Sequence, residues 1–126
     1  MLLGLSTPLY RETTDYVWAL TRQIDRVAEA ASSIDVAGVK RGARQGLLRY
    51  AVALRQLYAM VYPVLRRVEI PDHRRELEEA IAALLRGDAR ELAKVWRRLD
   101  QIQMELIRAL YDEDLLIRKV PQPMRV

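Results

Sequence analysis

A chain of 126 residues, 51% of them hydrophobic, has apolar surface for one core and too little length for two, so a single domain over residues 1–126 is expected. Having no cysteine, it can form no disulfide, thiolate nucleophile or common zinc cluster, and the redox compartment stays open. Its net charge of +4 comes from 21 basic residues, 18 of them arginine, whose planar fork suits phosphate and carboxylate, although GC-rich coding produces the same bias.

The first predicted helix opens at Thr7, an N-cap candidate followed by Pro8 at N1. Its apolar stripe is Val17, Leu20, Ile24, Val27 and Ala31, interrupted by Ser32 and Ser33. Asp35 caps a second helix that reaches Tyr62, where Pro63 forces a kink or a stop; continuity beyond it is open. Pro71-Asp72 opens a third helix through Leu77, Ile81 and Leu84, closed by Gly87 at C′. Asp88 and Glu91 form a capping-box pattern for a fourth, with Leu92, Val95, Leu99, Ile102, Leu106 and Leu110 on one stripe. Trp18 and Trp96 fall beside apolar stripes, as core or interface residues. Strand-like alternation is missing, so the expected fold is all-α, a four-helix bundle-like domain.

The second predicted helix carries the unusual charge. Residues 36–68 contain no Asp or Glu but hold Lys40, Arg41, Arg44, Arg49, Arg55, Arg66 and Arg67, a charge of +7. The rest of the chain sums to −3. On a helical wheel, Val36, Val39, Leu47, Tyr50, Leu54, Leu57, Val61 and Leu65 share an arc of roughly 80°, the core side. Beside it Lys40, Arg41, Arg44, Arg55 and Arg66 fall within about 100°, with Tyr58 and Tyr62 between them. An unbroken helix over 36–62 would span ~40 Å, close to the ~34–36 Å pitch of duplex DNA. Guanidinium and phenol groups in such a row can contact phosphates without reading bases.

Two alternatives compete along this segment. The row could face Glu76, Glu78 and Glu79 and form internal ion pairs, for which Arg74, Arg75 and Arg86 also compete. Gly38, Gly42 and Gly46, spaced by four, imply a close approach along one helical edge, of another helix or of a phosphate chain. They are equally consistent with an irregular basic loop over Ala37–Gly46.

Extended arms are expected at both ends. Met1–Leu5 is apolar but too short for a signal-peptide core. The C-terminal arm, 112–126, holds Leu115-Leu116-Ile117 behind the acidic trio Asp112, Glu113 and Asp114, and Pro121 and Pro123 keep its end extended. Either arm could fold over its own core or dock on a neighbouring subunit. No apolar run approaches the ~20 residues of a membrane span, so a soluble protein without a membrane role is expected.

No catalytic group, metal site or cofactor is expected. His73 is the sole histidine, and Ser6, Ser32 and Ser33 have no base nearby in sequence. Arg67 and His73 resemble the Arg-x(4–6)-His spacing of HEPN ribonucleases, although that motif needs one helical context and Pro71 breaks the interval. Helical bundles with this charge distribution suit a structural, non-specific double-stranded-DNA-binding protein. The alternative is an oligomeric helical protein-interaction module without nucleic acid.

With its acid-free segment 36–68, arginine–tyrosine face, glycine edge and apolar ends, the chain resembles in size and architecture the major capsid proteins of filamentous double-stranded-DNA viruses of archaea. Those small helical proteins polymerise around linear duplex DNA, sometimes as two related subunits. The resemblance implies a virion nucleocapsid subunit whose basic helix lines the DNA channel, with other copies of itself or a related protein as partners. Outside a virion, a cytoplasmic protein is expected.

Overall fold

The acid-free, basic segment 36–68 contains the helix at the centre of the fold. A computed structural model describes the backbone of residues 2–116 and the side chains of residues 15–116. Within these limits there are five helices and no strand: α1 (Leu2–Ser32), α2 (Val36–Lys40), α3 (Gln45–Val61), α4 (Arg74–Arg86) and α5 (Leu92–Asp112). A 3₁₀ turn, Tyr62–Val64, follows α3. The all-α expectation holds, with four long helices and the short α2 inserted between the first two.

α3 is the hub, packing against α1, α4 and α5. Its Leu47, Tyr50, Ala51, Leu54, Leu57, Tyr58 and Val61 have no exposed surface. α1 runs antiparallel to it: the Tyr16 hydroxyl donates to the Met60 carbonyl (2.6 Å) and Gln23 Nε2 to the Ala53 carbonyl (3.0 Å). α4 is also antiparallel, with His73 against Tyr58 at one end and Gly87 against Arg44 at the other. α5 runs parallel to α3 and is pinned to it through Tyr50. The Tyr50 hydroxyl lies 2.7 Å from Asp100 Oδ1 and 2.6 Å from Gln103 Oε1. Having one proton, the hydroxyl donates to one of these two oxygens at a time.

Several sequence expectations are corrected. Thr7-Pro8 does not start α1, which already begins at Leu2, so Leu2–Leu5 is helical rather than an extended arm. The expected basic helix over 36–68 is broken into α2, a turn at 41–44, α3, which ends at Val61, the 3₁₀ turn 62–64 and a non-helical stretch after it. Gly42 causes the first break: its φ of +90° lies in the left-handed region, outside a right-handed helix. The glycines therefore form no continuous edge. Gly38 packs beside the Asp35 carboxylate that caps α2, and Gly46 faces Ile34 in the link between α1 and α2. Asp88 and Glu91 form no capping box. Glu91 sits at φ 54° with no side-chain cap bond, and Asp88 pairs with Arg86. Val36, placed on the core arc, is 52% exposed because it belongs to α2, outside the register of α3.

Asp35 does accept from the Ala37 N–H, and Gly87 closes α4 in the left-handed conformation. Of the C-terminal arm, Leu115 and Leu116 pack against the core; residues 117–126 lie outside the described residues. Trp96 packs on the core, whereas Trp18 is 57% exposed. No described helix is long and apolar enough to cross a membrane.

Centrality of α3 predicts where truncation hurts. Leu54→Ala should cost about 2–5 kcal/mol of unfolding free energy. Leu85→Ala, on the exposed face of α4, should change it by less than about 0.5 kcal/mol. Urea denaturation of the two variants checks both.

Candidate nucleic-acid interface

Burial of α3 on three sides dictates where its cations can emerge. Lys40 stands exposed at the last turn of α2, and Arg41, also exposed, lies 3.9 Å from the Asp35 carboxylate. Arg44 occupies the position before α3 and donates from its guanidinium to the Gly87 carbonyl (3.2 Å), tying the α2–α3 turn to the α4–α5 turn. Arg49 is exposed and Arg55 half-buried along α3. Lys40, Arg44, Arg49 and Arg55 form no salt bridge with a described carboxylate.

The tyrosines do not join them. Tyr58 has no exposed surface; its hydroxyl donates to the Pro71 carbonyl and accepts from the His73 N–H (3.3 Å). Burial pushes this phenol up to about 12, so it stays protonated and engaged inside the protein. Tyr62 stacks on Tyr58, ring centroids 5.8 Å apart, and the Arg74 guanidinium lies 4.7 Å from the Tyr62 ring centre. Both rings fasten the 71–74 segment to α3. The expectation that Tyr58 offers its hydroxyl to phosphate is therefore corrected, since the sector it occupies on the wheel is covered by α4.

Arg66 and Arg67 sit at the opposite end of the molecule from Lys40. There the Glu113 carboxylate accepts the backbone N–H groups of Arg66 (2.7 Å), Arg67 (2.9 Å) and Val68 (3.1 Å). Desolvation works to raise the Glu113 carboxyl, but these donors outweigh it and hold it below the ordinary range. The Arg67 guanidinium pairs with Asp114 at 3.3 Å, and that of Arg66 turns back to the Pro63 carbonyl. Internal pairing thus operates at this end, through Glu113 and Asp114. Glu76 instead takes both nitrogens of a bidentate contact from Arg98 (2.6 and 2.9 Å), and Glu79 pairs with Arg75.

His73 lies between two carboxylates, its Nε2 3.1 Å from Glu105 and its Nδ1 3.3 Å from Glu76. Arg67 belongs to the non-helical stretch after the 3₁₀ turn, so the two residues share no helix and each faces its own acids. Among the described residues, no group of three or more His, Asp or Glu side chains is arranged to hold a metal ion.

Ion pairs form at both ends of the bundle: Arg67 with Asp114 and Arg74 with Asp72 at one, Arg41 with Asp35, Arg86 with Asp88 and Lys94 with Glu91 at the other. Around the start of α3, the unanswered cations are Lys40 and Arg44, joined by Arg90 from the α4–α5 turn, which lines the same cleft. Charge counting along the chain misses Arg90, because it sits in the stretch richest in acid; only the fold carries it across. Comparison with protein-family models, with curated proteins and with solved structures found no match to this chain.

Acid titration should expose the internal pairs. The Arg74 hydrogen bonds hold the Asp72 carboxyl at about 2, and the Arg98 hydrogen bonds hold Glu76 below its usual 4.5. Each carboxylate is easier to protonate unfolded than folded, so its contribution is present above the unfolded value and is lost as pH falls. Stability measured by urea should decline from pH 4.5 toward 2. The deficit of Glu76→Gln relative to wild type should be largest at neutral pH and vanish at the acid end.

Proposed function

We propose that this protein binds double-stranded DNA through phosphate contacts without reading bases, and that it coats the duplex as one of many copies, as a virion capsid subunit does. The observation that supports this reading is a group of cations, Lys40, Arg44 and Arg90, that border one cleft and form no salt bridge with a described carboxylate. A one-signed surface of this kind raises self-repulsion, and a polyanion relieves it. Exposed guanidinium and ammonium groups in the turns at one end of a rigid bundle suit backbone positioning. The helix that would have to enter a groove is instead the core.

The second reading, an oligomeric interaction module, draws on a different surface. α4 and α5 leave a groove of about 390 Å³ between them, floored by Leu77, Ala80, Val95, Leu99 and Ile102. Coating requires subunit contacts as well, so the groove fits either reading.

The two differ in their response to salt. Phosphate binding predicts that affinity for a random-sequence duplex of ~30 base pairs falls more than about tenfold between 50 and 200 mM salt. Fluorescence anisotropy across that range measures it. Absence of binding at 50 mM salt sinks the DNA reading and leaves the interaction module.

A further inference from the structure

A surface cleft of about 490 Å³ opens where the α2–α3 turn meets the α4–α5 turn, lined by Val39, Lys40, Gly42, Arg44 and residues 89–93. The ion pairs around it divide its cations sharply. Arg41 is matched by Asp35, Arg86 by Asp88 and Lys94 by Glu91. Lys40, Arg44 and Arg90 form no salt bridge with any described carboxylate, and these three line the cleft. The one acid in its wall, Glu91, is engaged by Lys94 at 3.3 Å. Neither α3 nor α5, which both begin here, carries an acidic residue in its first turn, and the nearby Asp35 and Asp88 pair with Arg41 and Arg86.

The cleft is also built to hold its shape. Gly42 and Gly87, at φ +90° and +73°, supply the two left-handed positions that bring the turns together. Arg44 spans the gap by donating to the Gly87 carbonyl, and a guanidinium carries five N–H donors, so that bond leaves others for a ligand. No atom lies within 4 Å of where a Gly42 side chain would begin, so the backbone there is open to close approach.

We propose that this cleft is the phosphate-binding site of the protein, with Lys40, Arg44 and Arg90 as its ligands, so that each subunit meets a nucleic-acid backbone end-on and not along α3. This rests on the DNA-binding reading above for the source of the phosphate; the chemistry itself is that of a phosphate oxyanion. Three cations lining one cleft can neutralise about three phosphates, giving a log–log salt slope of about −2.7.

The test compares Lys40→Gln/Arg90→Gln with Arg49→Gln/Arg55→Gln, using circular dichroism to verify that each double variant is folded. Binding to a ~30-base-pair duplex in wild type should weaken about 40-fold between 50 and 200 mM salt, in Lys40→Gln/Arg90→Gln only about 3-fold, and in Arg49→Gln/Arg55→Gln as in wild type. If the α3 pair flattens the response as much as the cleft pair, or more, the cleft proposal is overturned while the DNA reading stands. If wild type binds no duplex at 50 mM salt, that reading fails, and calorimetry with inorganic tripolyphosphate decides the cleft. Tripolyphosphate binding lost in Lys40→Gln/Arg90→Gln assigns the cleft to a free polyphosphate; no binding by wild type overturns it.

Discussion

Everything in this fold depends on α3 being covered on three sides. Seventeen residues between Gln45 and Val61 meet α1, α4 and α5, and seven of them have no exposed surface. A helix so placed cannot carry a charged residue on most of its circumference, because an unpaired buried charge costs several kcal/mol, of order the net stability of a small domain. The acid-free composition of the segment is thus partly a property of a core helix. Its cations are confined to the flank, at Arg49 and Arg55, and to the turns beyond its ends.

Those two ends are treated differently. At the C-terminal end the chain leaves α3 through Pro63 and remains non-helical until α4, so the N–H groups of residues 66–68 have no helix to enter. Glu113 takes all three, which joins the end of α5 to the loop and places Asp114 beside the Arg67 guanidinium. At the N-terminal end the 41–44 turn satisfies itself through backbone bonds from Gly42 and Ala43 to α2, and needs no carboxylate. Lys40 and Arg44 there form no salt bridge, although Arg41 pairs with Asp35. Local backbone accounting therefore contributes to which cations find a carboxylate.

A group of unpaired cations in the turns at one end changes what a coating protein would look like. A basic face along a ~40 Å helix would lie parallel to the duplex and cover about one turn. An end-on contact occupies fewer phosphates per copy and leaves the flanks of the bundle, including the groove between α4 and α5, available for neighbouring copies. Subunits would then derive much of their order from one another.

The apolar periodicity of α1, α4 and α5 alone determined that these segments are helices and which residues they bury: Leu20, Ile24 and Val27, Leu77, Ile81 and Leu84, then Leu99, Ile102, Leu106 and Leu110 all lie inside. Periodicity reports burial directly because a helix repeats its face every 3.6 residues. Asp35 and Gly87 were legible for a related reason, each acting on backbone within a few residues of itself. The break at Gly42 was not, since three glycines at a spacing of four suit a tight helical edge as well as a turn. Which cations stand together was decided by the tertiary structure only. Arg90 reaches Lys40 and Arg44 because α4 returns antiparallel to α3, and Arg67 is taken by Asp114 because α5 runs parallel to it. Charge acts through space, and the neighbours that neutralise or reinforce it come from distant parts of the chain.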